Sequence, residues 1–263
     1  MPGPHGASTP GMPGHDAVGV SIADNLDAVR RRIADAARRA HRGPSDIRLI
    51  AVSKTFGPEL VRAAAAAGQR AFGENRVQEG VEKIEKIATI GPTTAPGDVP
   101  LEWHLIGHLQ SNKARRAAAA FPWIHSIDRA ELLKKVDAAA AELGKRPHVL
   151  IEVDLAHEAT KFGVDARGVE DLVKAALDAR AVTLAGLMIV PPIPTDPEES
   201  RPWFRRLREL RDELVARGAP AGRLAELSMG MSHDFEIAIQ EGATMVRVGT
   251  AIFGRRTPPP AQP

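Results

Sequence analysis

The chain has 263 residues, of which 43% are hydrophobic and 26% are charged, a composition that supports a sizeable core and excludes a wholly disordered or fibrous protein. It contains neither cysteine nor tyrosine, which excludes disulfides, thiolate metal sites and phenol-based proton transfer. The net charge of +2 does not favour a nucleic-acid partner, and the longest strongly apolar stretch, 184–193, is too short to cross a membrane. Because no secretory signal precedes the first helical pattern, we expect a cytoplasmic protein.

Proline and glycine dominate the first 20 residues, which predicts a disordered tail over 1–20, and a second short tail is predicted over 257–263. Ser21 is a candidate N-cap with Asp24 three residues later, and apolar residues then recur at helical spacing until Gly43 and Pro44. These patterns predict an extra N-terminal helix at the start of one folded domain over 21–256.

After this helix, short β-rich runs alternate with segments of helical composition. The predicted strands are Ile47–Ser53, Arg70–Gly73, Leu101–Gly107, Trp123–Ile127, His148–Leu155, Val182–Val190, Leu224–Ser228 and Met245–Gly249. The segments that follow them are Pro58–Ala67, Val77–Ile87, Ser111–Ala120, Ala130–Leu143, Val169–Ala179, Glu198–Arg217, Phe235–Glu241 and Ala251–Phe253. Such alternation gives a parallel sheet, and eight repeats favour closure into a (β/α)8 TIM barrel. An open doubly wound sheet is the alternative if one short strand is miscounted.

Lys54 ends the first predicted strand and, with period-two alternation, shares a face with Ile50 and Val52. If that face is the lumen, the ammonium group lies at the barrel mouth among apolar neighbours, an environment that lowers the pKa of a lysine. This position favours imine chemistry. A lysine that only extends its amine into solvent from a strand end is the alternative.

Small and hydroxylated residues end the last two predicted strands, namely Ser228 and Gly230 after the seventh and Gly249 and Thr250 after the eighth. In TIM barrels these two loops commonly hold phosphate, through backbone N–H groups and hydroxyls. Glycines that only permit tight turns are the alternative. Two such loops facing Lys54 predict a site for a phosphate and an amine.

Two more polar residues lie at predicted strand ends. Arg247 stands in a run of residues that favour burial, so it is either paired with a carboxylate such as Glu226 or available to a ligand. Asn75 follows the second strand and either contacts a ligand oxygen or caps the next helix. His104 and His108 straddle a strand end, where a spacing of four does not form a metal site, so we expect core hydrogen bonds and loop contacts from them.

Several ordered motifs resemble one known family. They are Ala51–Thr55, Gly73–Asn75 with Val77–Glu79, Trp103–Lys113, His125–Asp128, Lys161–Gly163, Gly186–Met188, Leu227–Asp234 and Val246–Gly254. Together they resemble the pyridoxal phosphate homeostasis proteins, which are related to the N-terminal domain of alanine racemase. The resemblance runs in order from Ile47 to Arg256, and the predicted tail over 1–20 departs from the family pattern.

The resemblance implies a fold-type III-like barrel that binds pyridoxal 5′-phosphate (PLP) in vitamin B6 and amino-acid homeostasis. It implies that Lys54 holds the cofactor as an imine, that Ser228, Gly249 and Thr250 hold its phosphate, and that Arg247 faces the pyridine nitrogen. Asn75 is a further candidate contact. The family also suggests PLP-dependent apoenzymes as recipients of the cofactor, and we expect a monomer without nucleic-acid or membrane partners.

The same resemblance raises the question of catalysis. Alanine racemases of this barrel type pair the cofactor lysine with a tyrosine from a second, β-rich domain, whereas this chain has no tyrosine and only nine residues after Gly254. We therefore expect a PLP-binding protein without a C-terminal β-domain and without robust turnover. A PLP-dependent amino-acid racemase or related enzyme that uses the same site is the alternative.

Overall fold

The computed structural model describes residues 21–90, 100–156 and 162–254. The tails predicted over 1–20 and 257–263, and Lys161, lie outside these ranges. The first helix begins as predicted, because the Asp24 N–H donates to Ser21 Oγ at 3.1 Å and the Ser21 N–H donates to the Asp24 carboxylate at 3.3 Å. This reciprocal capping box fixes the helix start.

Strands and helices alternate through the described ranges. The strands are β1 (Arg48–Val52), β2 (Ala71–Glu74), β3 (Glu102–Leu105), β4 (Trp123–Ile127), β5 (His148–Asp154), β6 (Val164–Asp165), β7 (Thr183–Met188), β8 (Glu226–Ser228) and β9 (Met245–Val248). The helices are α1 (Ile22–Arg39), α2 (Pro58–Ala66), α3 (Val77–Ile90), α4 (Ala114–Ala120), α5 (Ala130–Leu143), α6 (Val169–Leu177), α7 (Arg201–Ala216), α8 (Phe235–Gln240) and α9 (Thr250–Phe253). None of these helices has both the length and the apolar composition that a bilayer span requires.

Every strand except β6 belongs to one closed parallel barrel. The ring runs β1, β2, β3, β4, β5, β7, β8 and β9, and it closes because β9 also pairs with β1. The predicted TIM barrel is confirmed, and the open-sheet alternative is wrong. The two residues of β6, which no pattern predicted, pair only with β5 and lie outside the ring.

Side chains of the barrel strands alternate between the lumen and the helix layer. On β1, Ile50 packs in the lumen cluster with residues of other strands, whereas Ala51 packs in the larger cluster under the helices. Lys54 therefore follows β1 on the lumen side. The extra helix α1 packs against α8 and α9, and the Asn25 amide donates to the Ile252 carbonyl at 2.9 Å.

Candidate functional site

A cavity of about 270 Å³ opens where the barrel strands end. Its lining consists of Val52, Lys54, Phe56, Asn75, Ile106, Val190, Met231, Ser232, His233, Arg247, Gly249 and Thr250. Of the six site residues predicted from the sequence, all but Ser228 belong to this lining. The cavity thus combines an amine, a guanidinium group, a side-chain amide and two hydroxyls, which is a donor set for an anion.

Lys54 occupies the second position of a tight turn. The Phe56 N–H donates to the Ser53 carbonyl at 3.1 Å, which closes the turn, and the Ser53 N–H donates to the Gly73 carbonyl at 3.0 Å, which ties its start to β2. Thr55 has φ +68°, in the left-handed region that β-branched residues rarely adopt. The lysine is therefore presented to the cavity by a fixed but strained backbone.

Arg247 extends from β9 into the top of the lumen and is almost fully buried. Its guanidinium donates to Ser228 Oγ at 2.7 Å and to the Ile189 carbonyl at 2.8 Å. Burial lowers the pKa of Arg247 to about 10, against the opposing charges of Glu152 and Asp234, so the group remains cationic at pH 7. Of the two alternatives for Arg247, a carboxylate partner or availability to a ligand, its position in the cavity lining favours the second.

Glu226 is not the partner of Arg247 that the alternative required. Its Oε2 instead accepts from Thr244 Oγ1 at 2.5 Å. The guanidinium is therefore held by a hydroxyl and a carbonyl, and no carboxylate of the described residues forms an ion pair with it.

A hydrogen-bonded chain extends from Arg247 through the lumen. Ser228 Oγ lies 2.9 Å from His125 Nδ1, His125 Nε2 lies 2.9 Å from His104 Nδ1, and His104 Nε2 lies 2.9 Å from Glu102 Oε1. We call Ser228, His125, His104 and Glu102 the lumen chain. Since the guanidinium only donates and the carboxylate only accepts, one assignment satisfies every link, with each imidazole carrying its hydrogen on Nε2.

The two imidazoles of the lumen chain are neutral at pH 7. Burial lowers the pKa of His104 and, more strongly, that of His125, where the charge of Arg247 adds to the effect. Their hydrogen bonds all run in the same direction, away from the guanidinium. The lumen chain therefore polarises in response to the charge of Arg247.

Ser228 belongs to this chain and does not line the cavity. It is the last residue of β8 and is completely buried below the cavity floor, where its hydroxyl is hydrogen-bonded to both His125 and Arg247. The serine in the lining is Ser232, whose Oγ accepts from the Gly249 N–H at 3.2 Å. The sequence motif Leu227–Asp234 contains both serines, and the family resemblance points to Ser228, the one at the strand end.

Asn75 lies in the lining between β2 and α3. Because α3 begins at Val77, Asn75 precedes its capping position, which favours the ligand-contact alternative. A Cβ at Gly107 would lie 2.3 Å from the Asn75 carbonyl oxygen, so only glycine permits this approach of the two loops. Gly107 therefore helps to fix Asn75 at the cavity.

The remaining histidines have separate positions. His108 stacks on Phe162, with ring centroids 3.6 Å apart, and its Nδ1 lies 3.4 Å from the Asp128 carboxylate. His233 lines the cavity. Within the described ranges, no three His, Asp or Glu side chains are grouped closely enough to hold a metal ion.

Comparison with known proteins places the chain in a family. The alanine racemase N-terminal domain family matches residues 25–257. The pyridoxal phosphate homeostasis protein of Aquifex aeolicus is 43% identical over 90% of this chain and 99% of its own length. The chain belongs to the pyridoxal phosphate homeostasis protein family. The Escherichia coli K12 member is 42% identical over 89% of this chain and 97% of its own length.

Solved structures agree with this family assignment. PipY of Synechococcus elongatus, determined with PLP bound, superposes with a TM-score of 0.76 at 39% identity, covering 89% of this chain and 100% of PipY. Alanine racemase of Clostridium difficile superposes with a TM-score of 0.65 at 16% identity, covering 90% of this chain and 58% of the racemase. The second likeness concerns the fold alone.

Proposed function

We propose that this chain binds PLP through Lys54 and serves the homeostasis of PLP and amino acids. The observation that carries the proposal is that Lys54, Arg247, Ser232, Gly249 and Thr250 line one cavity. PLP presents an aldehyde, a pyridine nitrogen and a phosphate, and these residues offer an amine, a guanidinium group and a set of neutral donors. Each functional group of the cofactor thus has a chemically suitable residue in the lining.

The phosphate site is proposed at the loops after β8 and β9. Ser232 and Thr250 supply hydroxyls, and Gly249 supplies a backbone N–H that in this structure donates to Ser232 Oγ at 3.2 Å. That contact is at the long end of the range for N–H···O bonds, so it is readily exchanged for one to a phosphate oxygen. We therefore propose Ser232 in place of Ser228 as the serine that holds the phosphate.

Arg247 sets the electronic character of the site. When bound, PLP supplies an electron-withdrawing pyridine ring that is most effective with a protonated nitrogen. A cationic guanidinium beside that nitrogen opposes its protonation by repulsion between like charges. We propose that Arg247 keeps the ring a weak electron sink, which favours storage of the cofactor over turnover.

The composition supports the same conclusion. The sequence contains no tyrosine or cysteine to carry a proton to the side of a substrate opposite Lys54. We propose a monomeric cytoplasmic carrier that delivers PLP to PLP-dependent apoenzymes. The named homeostasis role of its relatives supports this proposal. Transfer of PLP from the loaded chain to such an apoenzyme, faster than its release into buffer, is the test of delivery.

Borohydride reduction followed by peptide mapping tests the proposed attachment. We expect the mass of reduced PLP on the peptide that contains Lys54, and we expect Lys54→Ala to lose the visible absorption of the bound cofactor. Lys113→Ala is the matched control, since Lys113 ends a short 3-10 helix between β3 and α4 and lies outside the lining. Cofactor mass on any other peptide contradicts the proposal, and sustained conversion of L-alanine to D-alanine supports the racemase alternative.

A further inference from the structure

A buried ammonium group outside the cavity donates a hydrogen bond to the turn that carries Lys54. Lys83, on α3, is 4% exposed, and its Nζ lies 2.7 Å from the Ser53 carbonyl oxygen and 2.6 Å from Glu74 Oε1. Ser53 immediately precedes Lys54. The same carbonyl that closes the turn therefore also accepts a hydrogen bond from a cation.

Glu74 strengthens the contact at the start of the turn. It is the last residue of β2, it is fully buried, and its Oε1 also accepts from Ser53 Oγ at 2.6 Å. Both the backbone and the side chain of Ser53 are thus bonded to the ion pair of Lys83 and Glu74. The residue before Lys54 has little freedom to rotate.

A second carboxylate bonds the other side of the turn. Glu79, four residues before Lys83 on α3, accepts from the Thr55 N–H, and its Oε1 lies 3.4 Å from Lys83 Nζ. Thr55 immediately follows Lys54. We call Lys83, Glu74 and Glu79 the Lys83 cluster, and its contacts hold the residues on both sides of Lys54.

On the basis of the proposed function, we propose that Lys83 is a positioning residue that directs Lys54 toward the cofactor. No member of the Lys83 cluster belongs to the cavity lining, so its influence on the cofactor passes through the turn. The left-handed conformation of Thr55 is unfavourable for a β-branched residue. Without the cluster, this turn relaxes to other conformations and the direction of the Lys54 side chain changes.

A purely stabilising role does not account for this arrangement. Burying an ion pair costs desolvation energy that its mutual attraction only partly repays, so a buried ion pair contributes little net stability. In addition, Glu74 Oε2 is buried without a hydrogen-bond partner. What the cluster does provide is a fixed geometry at the two residues that flank Lys54.

Lys83→Met tests this role with two ligands. PLP forms a covalent bond with Lys54, whereas pyridoxine 5′-phosphate has an alcohol in place of the aldehyde and binds only through its ring and phosphate. We expect Lys83→Met to weaken the apparent affinity for PLP about tenfold, the effect of one lost charge-assisted hydrogen bond, and to leave the affinity for pyridoxine 5′-phosphate unchanged. Lys83→Arg, which keeps the cation, should restore much of the PLP affinity.

The paired measurement separates positioning from structural damage. Equal weakening of both ligands, or no weakening of either, overturns the proposal. Arg201→Met is the control, because it breaks the ion pair of Arg201 with the buried carboxylate of Glu241, and neither residue belongs to the lining. It should leave both affinities unchanged.

Glu79→Ala provides the same test should Lys83→Met fail to fold. The Glu79 side chain is 29% exposed, so the change removes the acceptor of the Thr55 N–H without leaving a buried charge. The expected result is again a loss confined to PLP. Failure of the wild-type chain to attach PLP at Lys54 would instead refute the proposed function, which the borohydride experiment detects independently.

Discussion

Two regions of the protein hold the two cationic residues of the cavity by different chemistry. The Lys54 turn is held by the Lys83 cluster, which contains one ammonium group and two carboxylates. Arg247 is held by neutral groups, a backbone carbonyl and the hydroxyl of Ser228, which is in turn bonded to His125. The first is a local ion-pair network and the second is a polarised chain.

The location of each region explains the difference. α3 lies on the outside of the barrel, and Glu79 at the edge of the cluster is 29% exposed, although Lys83 and Glu74 are buried. The lumen is closed, and a counter-ion buried there would carry a large desolvation cost. The neutral groups of the lumen chain satisfy and are polarised by the Arg247 guanidinium without adding a second buried charge.

The lumen chain ends at a carboxylate that is partly exposed. Glu102 has a 37% exposed side chain. Burial alone would raise its pKa, but the hydrogen bond from His104 and the charge of Arg48 outweigh burial and bring the pKa to about 2. The lumen chain thus connects a buried cation to an anion at the far end of the barrel, where water still solvates it.

Breaking the lumen chain at its centre should have the largest effect on stability. His125→Phe keeps a ring of similar size but leaves the Ser228 hydroxyl without its acceptor and His104 Nδ1 without its donor, both in the core. Each orphaned buried group costs about 1–3 kcal/mol, so we expect a loss of about 3–4 kcal/mol in the free energy of unfolding. Urea unfolding of the apoprotein measures it.

His108→Phe is the control for this prediction. His108 stacks on a half-exposed ring and is not part of the lumen chain, so its replacement should change the unfolding free energy by less than about 1 kcal/mol. Equal losses for the two histidine variants would show that the lumen chain does not hold the core together.

Glu152 offers a way to change the charge balance near Arg247 with pH. This β5 carboxyl is 7% exposed, and burial, with the charge of Asp128, raises its pKa to about 7 against the opposing effect of Arg247. The folded state therefore keeps a proton that the unfolded state loses near pH 4.5. Because the folded state binds more protons in this window, stability should fall by about 3 kcal/mol as pH rises from about 4.5 to about 7.

Glu152→Gln should remove that pH dependence. Urea unfolding at pH 5 and pH 8 measures the difference, and we expect a smaller loss of stability in the variant than in the wild type. A wild-type slope that persists in the variant would assign the titration to another group. Below pH 7, Glu152 is protonated and adds no charge near Arg247. Above pH 7, the ionised Glu152 adds a negative charge near the guanidinium.

Local patterns predicted the barrel and the direction of Lys54. β-Rich runs alternating with helical segments require only short-range information, and the period of two along β1 places Lys54 on the side of Ile50. The Lys83 cluster carries no such signal. Glu79 and Lys83 are four apart on α3, a spacing typical of an exposed helix pair, and only the packing of α3 beside β2 buries the ammonium group.

The choice between the two serines shows the same limit. The sequence pattern ends this strand at Ser228, and the structure ends β8 at the same residue, but the cavity lining takes its serine from the loop that follows. Ser228 thus belongs to the lumen chain and Ser232 to the lining.

Replacing each serine separately should distinguish a lining residue from a residue of the lumen chain. We expect Ser232→Ala to lower the affinity for PLP about tenfold, the effect of one lost hydrogen bond to a phosphate. The affinity for pyridoxal, which lacks the phosphate, should not change. Ser228→Ala should instead lower the free energy of unfolding and lower the affinities for PLP and pyridoxal by the same factor. Fluorescence titration with each ligand measures the affinities, and a phosphate-dependent loss in Ser228→Ala would reverse the assignment.

The smallest effect is expected from the backbone strain at Thr55, which distinguishes the turn that carries Lys54 from the lumen chain. Among the described residues, the non-glycine residues with positive φ are His41 and Thr55, and neither belongs to the lumen chain. Thr55→Gly removes the steric cost of about 1–3 kcal/mol but adds backbone entropy to the unfolded state, so a net stabilisation of about 1 kcal/mol is expected from urea unfolding. Thr55→Ala, which keeps a Cβ, should gain less. If glycine destabilised the protein, the turn would be unstrained, and the Lys83 cluster would have no opposing force to hold.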